Sequence, residues 1–291
     1  MAGSKSGYYL PAPSAWPLIG TVGLFLLLGG FALQLHGVEK GVLTMGIGLA
    51  IVLIMVCGWF ATVINESESG RYDEQVDRSF RWSMGWFIFS EVMFFAAFFG
   101  ALFYARIYAV PWLGGEGEKA ATHGLLWPSF NAVWPLITLP DSSGFTLAKK
   151  PMGAWGLPAI NTLILLSSAW TLTWAHWGLK RNDRRRLIGW LTLTVLLGLS
   201  FLVCQAMEYV HAYDELNLKL SSGIYGTTFY MLTGFHGVHV TLGATMLIVV
   251  LLRSLRGHFT PDRHFAFEAV AWYWHFVDVV WLGLFVFVYW L

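Results

Sequence analysis

The feature that most constrains this chain is a series of long apolar runs, and the most telling is residues 82–108, WSMGWFIFSEVMFFAAFFGALFYARIY. At about 1.5 Å rise per residue this run extends roughly 40 Å as a helix, enough to cross a bilayer with some tilt. One carboxylate, Glu91, interrupts it about 13 Å in from Trp82. A charge at mid-membrane costs on the order of 2.5–3.5 kcal/mol on insertion scales, so Glu91 needs protein partners or a proton. Ala96, Ala97, Gly100 and Ala101 on the same helix let a neighbouring helix come close. Two readings follow: a carboxylate that works inside the membrane, or a hydrogen-bonded acid that only holds helices together.

Six further runs, at 16–35, 42–64, 157–177, 187–210, 224–252 and 267–291, approach or exceed the roughly 20 residues a span requires. They predict an all-α polytopic membrane protein with seven transmembrane helices. With 56% hydrophobic and 12% charged residues, a water-soluble domain is excluded. A formal net charge of +1 carries no nucleic-acid signature. Cys57 and Cys204 both sit in apolar runs and no CxxC occurs, so no disulfide framework is suggested. The N-terminal stretch has no short apolar core followed by a cleavage site, and no cleaved signal peptide is expected. The link HGVEKG between the first two runs is so short that they form a tight helical hairpin or none. The absence of an internal repeat argues against a transporter built of duplicated halves.

Lys5, Arg71, Arg78, Arg81, Lys180, Arg181, Arg184, Arg185, Arg186, Arg253, Arg256 and Arg263 fall on the N-terminal side of the bundle. The opposite side has only Lys40, Arg106, Lys119, Lys149, Lys150 and Lys219. This bias places the N-terminus in the cytoplasm and the C-terminus outside. The expected organisation is a two-helix hairpin (1–64), a cytoplasmic linker (65–81) and a five-helix bundle (82–291) with a long external loop (109–156). That loop is aromatic in its second half, WPSFNAVWPLITLP, which is expected to lie on the membrane surface or against a partner.

Polar groups recur inside the spans. His236 and His239 are three apart and share a helix face. Glu268 and His275 are seven apart and nearly in line, with Asp278 a turn beyond. Imidazoles on facing helices can hold a b-type heme, and His236 with His239 can take a transition metal. Yet no HExxH, Cys cluster or His/carboxylate metal box is present, and buried His and Asp equally form interhelical hydrogen bonds worth about 1 kcal/mol each. No metal site and no catalytic residue is assigned. No cation lies on the third run before Arg106, so Glu91 is expected to hold a proton and donate a hydrogen bond, with His236, His239 and His275 the first candidate partners.

The blocks SEVMFFAAFF, NTLILLSS with TWAH, QAMEY, YGTTFYMLTGFHGVHV and FEAVAWYWHFVDVVW, in that order, resemble subunit III of cytochrome c oxidase, in the heme-copper oxidase superfamily. The resemblance covers the chain from about Trp59 to its end. It implies seven helices split by a V-shaped, lipid-filled cleft into two-helix and five-helix parts. It implies a subunit without heme, copper or other redox centre of its own, packed against the catalytic subunit I and associated with subunit II, which carry those groups. It also implies support for proton uptake, protection against inactivation during turnover, and a bacterial inner membrane with the C-terminus periplasmic. Glu91 matches the family's glutamate that reacts with hydrophobic carbodiimides. Trp59 and Glu66 match residues near a lipid headgroup, and Arg253, Arg256 and His258 resemble a basic headgroup cluster.

One block departs from the pattern. Many relatives read WWRDVIRE where this chain reads WFATVINE, so Ala61 and Asn65 replace two arginines. A phosphate there loses two charge-assisted contacts and must turn to Arg71, Arg78 or Arg81. Two other readings stay open: a membrane cytochrome binding heme through His236, His239 or His275, and a proton-coupled transporter using Glu91 and Asp278.

Overall fold

The computed structural model describes residue 9 and residues 11–291. Lys5, one of the orienting cations, lies outside the described residues. Among the described residues there is no strand. The chain forms two compact units, Met1–Phe80 and Arg81–Leu291.

The first unit is built from α1 (Trp16–Leu35) and α2 (Gly41–Glu68), joined by a turn at Gly37, whose φ of 72° favours glycine. Pro17 starts α1 from a position where its missing N–H costs nothing. Every buried residue of these two helices is a glycine: Gly20, Gly23, Gly30, Gly41 and Gly48. A Cβ on Gly48 would stand 2.2 Å from the Leu27 nitrogen, and one on Gly30 2.3 Å from the Met45 nitrogen. The helices therefore meet backbone to backbone, as small residues permit in an apolar phase. Trp16 closes the open end: its ring covers Gly58 and its Nε1–H donates to the Thr62 hydroxyl, 3.2 Å away. The tight hairpin required by the short link is thus formed.

α3 (Glu74–Tyr104) begins in the first unit and continues into the second. It passes through a π-helical turn (Ala105–Ala109) into the short α4 (Val110–Leu113). After α5 (Ala120–Leu126) come four long helices: α6 (Leu157–Lys180), α7 (Arg184–Asp214), α8 (Gly223–Arg256) and α9 (Phe265–Leu284), the last prolonged by a π-helical segment (Phe285–Trp290).

Among the described residues, six of the seven long helices are apolar enough to span a membrane; α6 is long enough but less apolar. Its polar residues explain this, and three of them, Asn161, Ser168 and Thr171, are buried inside the bundle. Trp274 of α9 is the centre of that bundle and has no exposed surface. Its ring fills hollows at Gly198 of α7 and Gly243 of α8, where an added Cβ would come within 2.8 Å and 2.7 Å of it. Its Nε1–H donates to the Ser168 hydroxyl of α6 at 2.9 Å. One turn pair further on, Trp281 donates to Thr162 at 2.9 Å. Thr171 and Thr194 join α6 to α7 at 2.8 Å, and Tyr209 and Thr233 join α7 to α8 at 2.8 Å.

The loop 109–156 is held by its own chain. The Thr146 and Lys149 amides donate to the carbonyls of Ser221 (3.0 Å) and Leu216 (2.8 Å), and the Met152 amide to the Tyr225 hydroxyl (3.0 Å). Its aromatic half forms a small core of Val110, Phe130 and Leu136 under Trp127 and Trp134, with Trp134 edge-on to Tyr225. Trp134 of this half thus packs on α8 of its own chain.

Candidate functional site

α3 presents Glu91 to α8. Its Oε2 lies 2.7 Å from His239 Nε2. The other ring nitrogen, Nδ1, lies 2.7 Å from the Phe235 carbonyl, an acceptor only, so Nδ1 carries a hydrogen and donates it there. In a neutral imidazole this leaves Nε2 with a lone pair. Exactly one proton then has a place between Oε2 and Nε2; while the pair is neutral, Glu91 holds and donates it. Aromatic rings wall the pair off. Phe95 meets the imidazole edge-on at 4.9 Å, Tyr273 stacks parallel to it at 6.3 Å, and Phe94 packs against Phe235 at 5.0 Å. Local sequence explains the placement: Glu91, Phe94 and Phe95 share one face of α3, as Phe235 and His239 share one face of α8.

Of the three histidines proposed for Glu91, His239 reaches it and the other two do not. His236 is fully buried; its Nε2–H faces the Val277 carbonyl of α9 at 3.2 Å, and Trp281 tilts over its ring at 5.1 Å. The shared helix face thus divides between two partners, and His236 and His239 do not converge as a metal pair. His275 turns to Asp278 on its own helix at 3.4 Å. A buried acid of α7, Glu208, accepts a 2.6 Å hydrogen bond from the Tyr289 hydroxyl. His239 with Glu91, His236 with the Val277 carbonyl, His275 with Asp278 and Glu208 with Tyr289 are thus separate contacts, and His236 Nδ1, Asp278 Oδ1 and Glu208 Oε2 are buried without a hydrogen-bond partner.

Glu268 and His275 share α9, seven residues apart, but Glu268 takes other partners. It lies in the first turn of α9, where its Oε2 is paired with the Arg81 guanidinium of α3. Its Oε1 faces His264 Nε2 at 3.2 Å and His176 Nε2 at 3.6 Å. Sequence reading missed His264, although the HFAFE spacing, histidine four before glutamate at a helix start, was a local signal. The approach of His176 on α6 had no such signal.

The lipid candidates fall in both units. In the first, Glu66 Oε2 accepts from Tyr72 (2.9 Å) and Tyr9 (3.3 Å). Burial, then the hydrogen bond to Glu66 and its charge, push the Tyr72 phenol well above the ordinary tyrosine range. Trp59 is exposed on α2, and Arg71 and Arg78 are also exposed. In the second, Arg253 is buried with its guanidinium 4.5 Å over the Phe259 ring, Arg256 is exposed, and the His258 amide donates to the Arg253 carbonyl. Gly257 between them has a φ of 76° and ends α8.

Comparison with known proteins covers the whole of this architecture. The family described as cytochrome c oxidase subunit III matches residues 6–125 and 121–291. Cytochrome c oxidase subunit 3 of Scyliorhinus canicula is 39% identical over 291 residues, covering 100% of this chain and 99% of that protein. The subunit 3 of Cyprinus carpio is 39% identical with the same coverage. That of Papio hamadryas is 40% identical over 284 residues, 97% of this chain and 96% of that protein.

Proposed function

The chain belongs to the cytochrome c oxidase subunit III family, and from that premise we propose that it is a non-redox supporting subunit of a proton-pumping terminal oxidase. It is a multi-pass membrane protein and part of an oxidoreductase complex. The complex reduces oxygen to water with electrons from cytochrome c, and this chain supports subunit I, beside subunit II, in proton uptake and in lasting through turnover. Heme and copper belong to those partners. One observation carries the reading: the three histidines weighed as heme ligands are each engaged by their own chain, His239 with Glu91, His236 with the Val277 carbonyl and His275 with Asp278. A heme-binding cytochrome needs imidazoles presented together from facing helices.

α8 also offers a place for a neighbour. Gly234, Gly237, Val238 and Thr241 line a groove of about 380 Å³ with Leu202, Gln205 and Tyr209 of α7. A Cβ on Gly237 would meet nothing within 4 Å, so a helix of a partner subunit can come close there. Phospholipid headgroups are assigned to Trp59, Glu66, Arg71 and Arg78 in the first unit and to Arg253, Arg256 and His258 in the second. Arg81, engaged by Glu268, is the weakest of the lipid candidates. The membrane is read as the bacterial inner membrane, with the cation-rich ends of the helices in the cytoplasm.

Purification of the tagged chain tests this directly. A heme- and copper-bearing subunit should come with it, and cells lacking the chain should yield an oxidase that loses activity faster during turnover. A lone chain showing its own Soret band, with oxidase lifetime unchanged in its absence, would overturn the reading.

A further inference from the structure

We propose that His176, His264 and Glu268 form a binding site for a zinc-like divalent ion where α3, α6 and α9 meet. The three candidate ligand atoms lie within 4.8 Å of one another. Two of their separations, 3.2 Å and 3.6 Å from Glu268 Oε1 to the His264 and His176 Nε2 atoms, bracket the edge of a tetrahedron. With metal–ligand distances of 2.0–2.1 Å that edge is about 3.3–3.4 Å. Two imidazoles and one carboxylate are a zinc ligand set that leaves the fourth position to water.

The surroundings prepare each ligand. His264 Nδ1 lies 3.1 Å from the Thr260 carbonyl, which takes its hydrogen and leaves the Nε2 lone pair facing the cluster. The Nε2 atoms of both His264 and His176 are buried and lack a hydrogen-bond partner. Buried polar atoms of this kind call for an ion or a donor. The Glu268 carboxylate is divided: Oε2 belongs to Arg81, and Oε1 alone turns to the imidazoles. Arg81 is itself fixed, with its guanidinium 5.0 Å over the Phe265 ring, so the carboxylate is oriented from outside, as ligating carboxylates commonly are. Phe267 packs on His176 at 5.3 Å. Side-chain exposures of 21%, 9% and 13% for His176, His264 and Glu268 leave the site shielded yet open to an entering ion.

An ion there would tie the C-terminal end of α6 to the start of α9, and through Glu268 and Arg81 to α3. The test uses the intact complex containing this chain, stripped with a chelator and equilibrated in buffered zinc. Metal analysis should find one more zinc per chain in the natural protein than in His264→Ala, and His176→Gln should weaken that zinc at least tenfold. Zinc K-edge absorption should show the His264-dependent ion with a shell of nitrogen and oxygen at about 2.0–2.1 Å. Equal zinc content in the natural protein and both assembled variants would overturn the proposal. Should a variant fail to assemble, the spectrum of the natural complex decides: without a nitrogen and oxygen shell containing imidazole, beyond the zinc of any other subunit, the site does not exist.

Discussion

The α1–α2 hairpin and the α6–α9 bundle both pack helices in an apolar phase, and they do it with opposite chemistry. In the hairpin only glycines are buried and backbone touches backbone. In the bundle large rings fill the interior, and Trp274, Trp281, Tyr209 and Tyr289 each close a hydrogen bond to another element. Lipid tails are as apolar as leucine, so neither region gains from hiding apolar surface from water. What remains is close packing and polar pairing. The hairpin relies chiefly on the first, with the Trp16–Thr62 hydrogen bond at its open end, and the bundle uses both throughout. The bundle can therefore hold polar side chains at membrane depth: His239 of α8 meets Glu91 of α3, and His275 and Asp278 pair on α9.

The largest effect is expected where the hairpin has no slack. Gly48→Leu puts side-chain atoms where the Leu27 backbone lies and should separate α1 from α2, costing more than the ~1–3 kcal/mol of ordinary overpacking. Gly46→Leu, two residues away with nothing within 4 Å, should be tolerated. Cysteine cross-linking between the two helices should fail in the first variant and persist in the second. Equal cross-linking in both would mean that the glycines are not what joins them.

Next in size is the pair that sets the bundle apart. Glu91→Ala leaves His239 Nε2 facing an apolar gap and should loosen α3 from α8, seen as a lower unfolding temperature of the complex. Glu91→Gln keeps a donor for Nε2, and assembly, oxygen consumption and proton uptake should stay near normal if the pair is structural. Infrared difference spectra with a carboxyl band changing during turnover and missing in Glu91→Gln, together with slowed proton uptake, would make Glu91 a proton carrier instead. A smaller loss is expected from Ser168→Ala, which leaves the Trp274 indole N–H without its acceptor. About 0.6–1.7 kcal/mol is the scale for such bonds between membrane helices. Adding Trp274→Phe to Ser168→Ala removes that orphaned donor, so the double variant should cost less than the two single changes added together.

Much of the fold was legible in sequence because apolar length is a direct reading of membrane thickness. The first run, 16–35, coincides with α1. The runs 42–64, 157–177, 187–210 and 224–252 fall short of their helices at one end or both. The run 187–210 became Arg184–Asp214, since a helix continues past the hydrocarbon at little cost once Asp183 accepts from the Arg186 amide. The site was legible only in part. Glu91 announced itself as a lone acid, but its choice of His239 over His236 depends on how α8 is rotated against α3 and α9, which apolar helices do not write into their spacing. His176 could be placed beside Glu268 only by the packing of α6 on α9.

The smallest predicted effect returns to the first unit, at the cluster of Tyr72 with Glu66. Tyr72 lies outside the spans, with its hydroxyl on Glu66 and its ring edge-on to Tyr9 and Phe80 at 5.6 Å and 5.2 Å. Burial and the adjacent carboxylate both oppose the phenolate, so its pKa is raised on folding. The sign follows. In the unfolded chain the phenol ionises near the ordinary value of about 10. The folded state keeps the proton to higher pH. The stabilisation is fully present below about pH 10 and is lost as pH rises from there towards the folded value. The neutral hydrogen bond itself is worth about 0.5–1.5 kcal/mol before solvent screening, which lowers it further here. Ultraviolet difference titration of the natural protein against Tyr72→Phe should therefore show no phenolate step from this residue in the ordinary tyrosine range. Glu66→Gln removes the opposing charge and should bring that step down in pH. A Tyr72 that ionises near 10 with Glu66 intact would show that the cluster does not hold the hairpin's polar end, and would leave its support to the glycine contacts and Trp16.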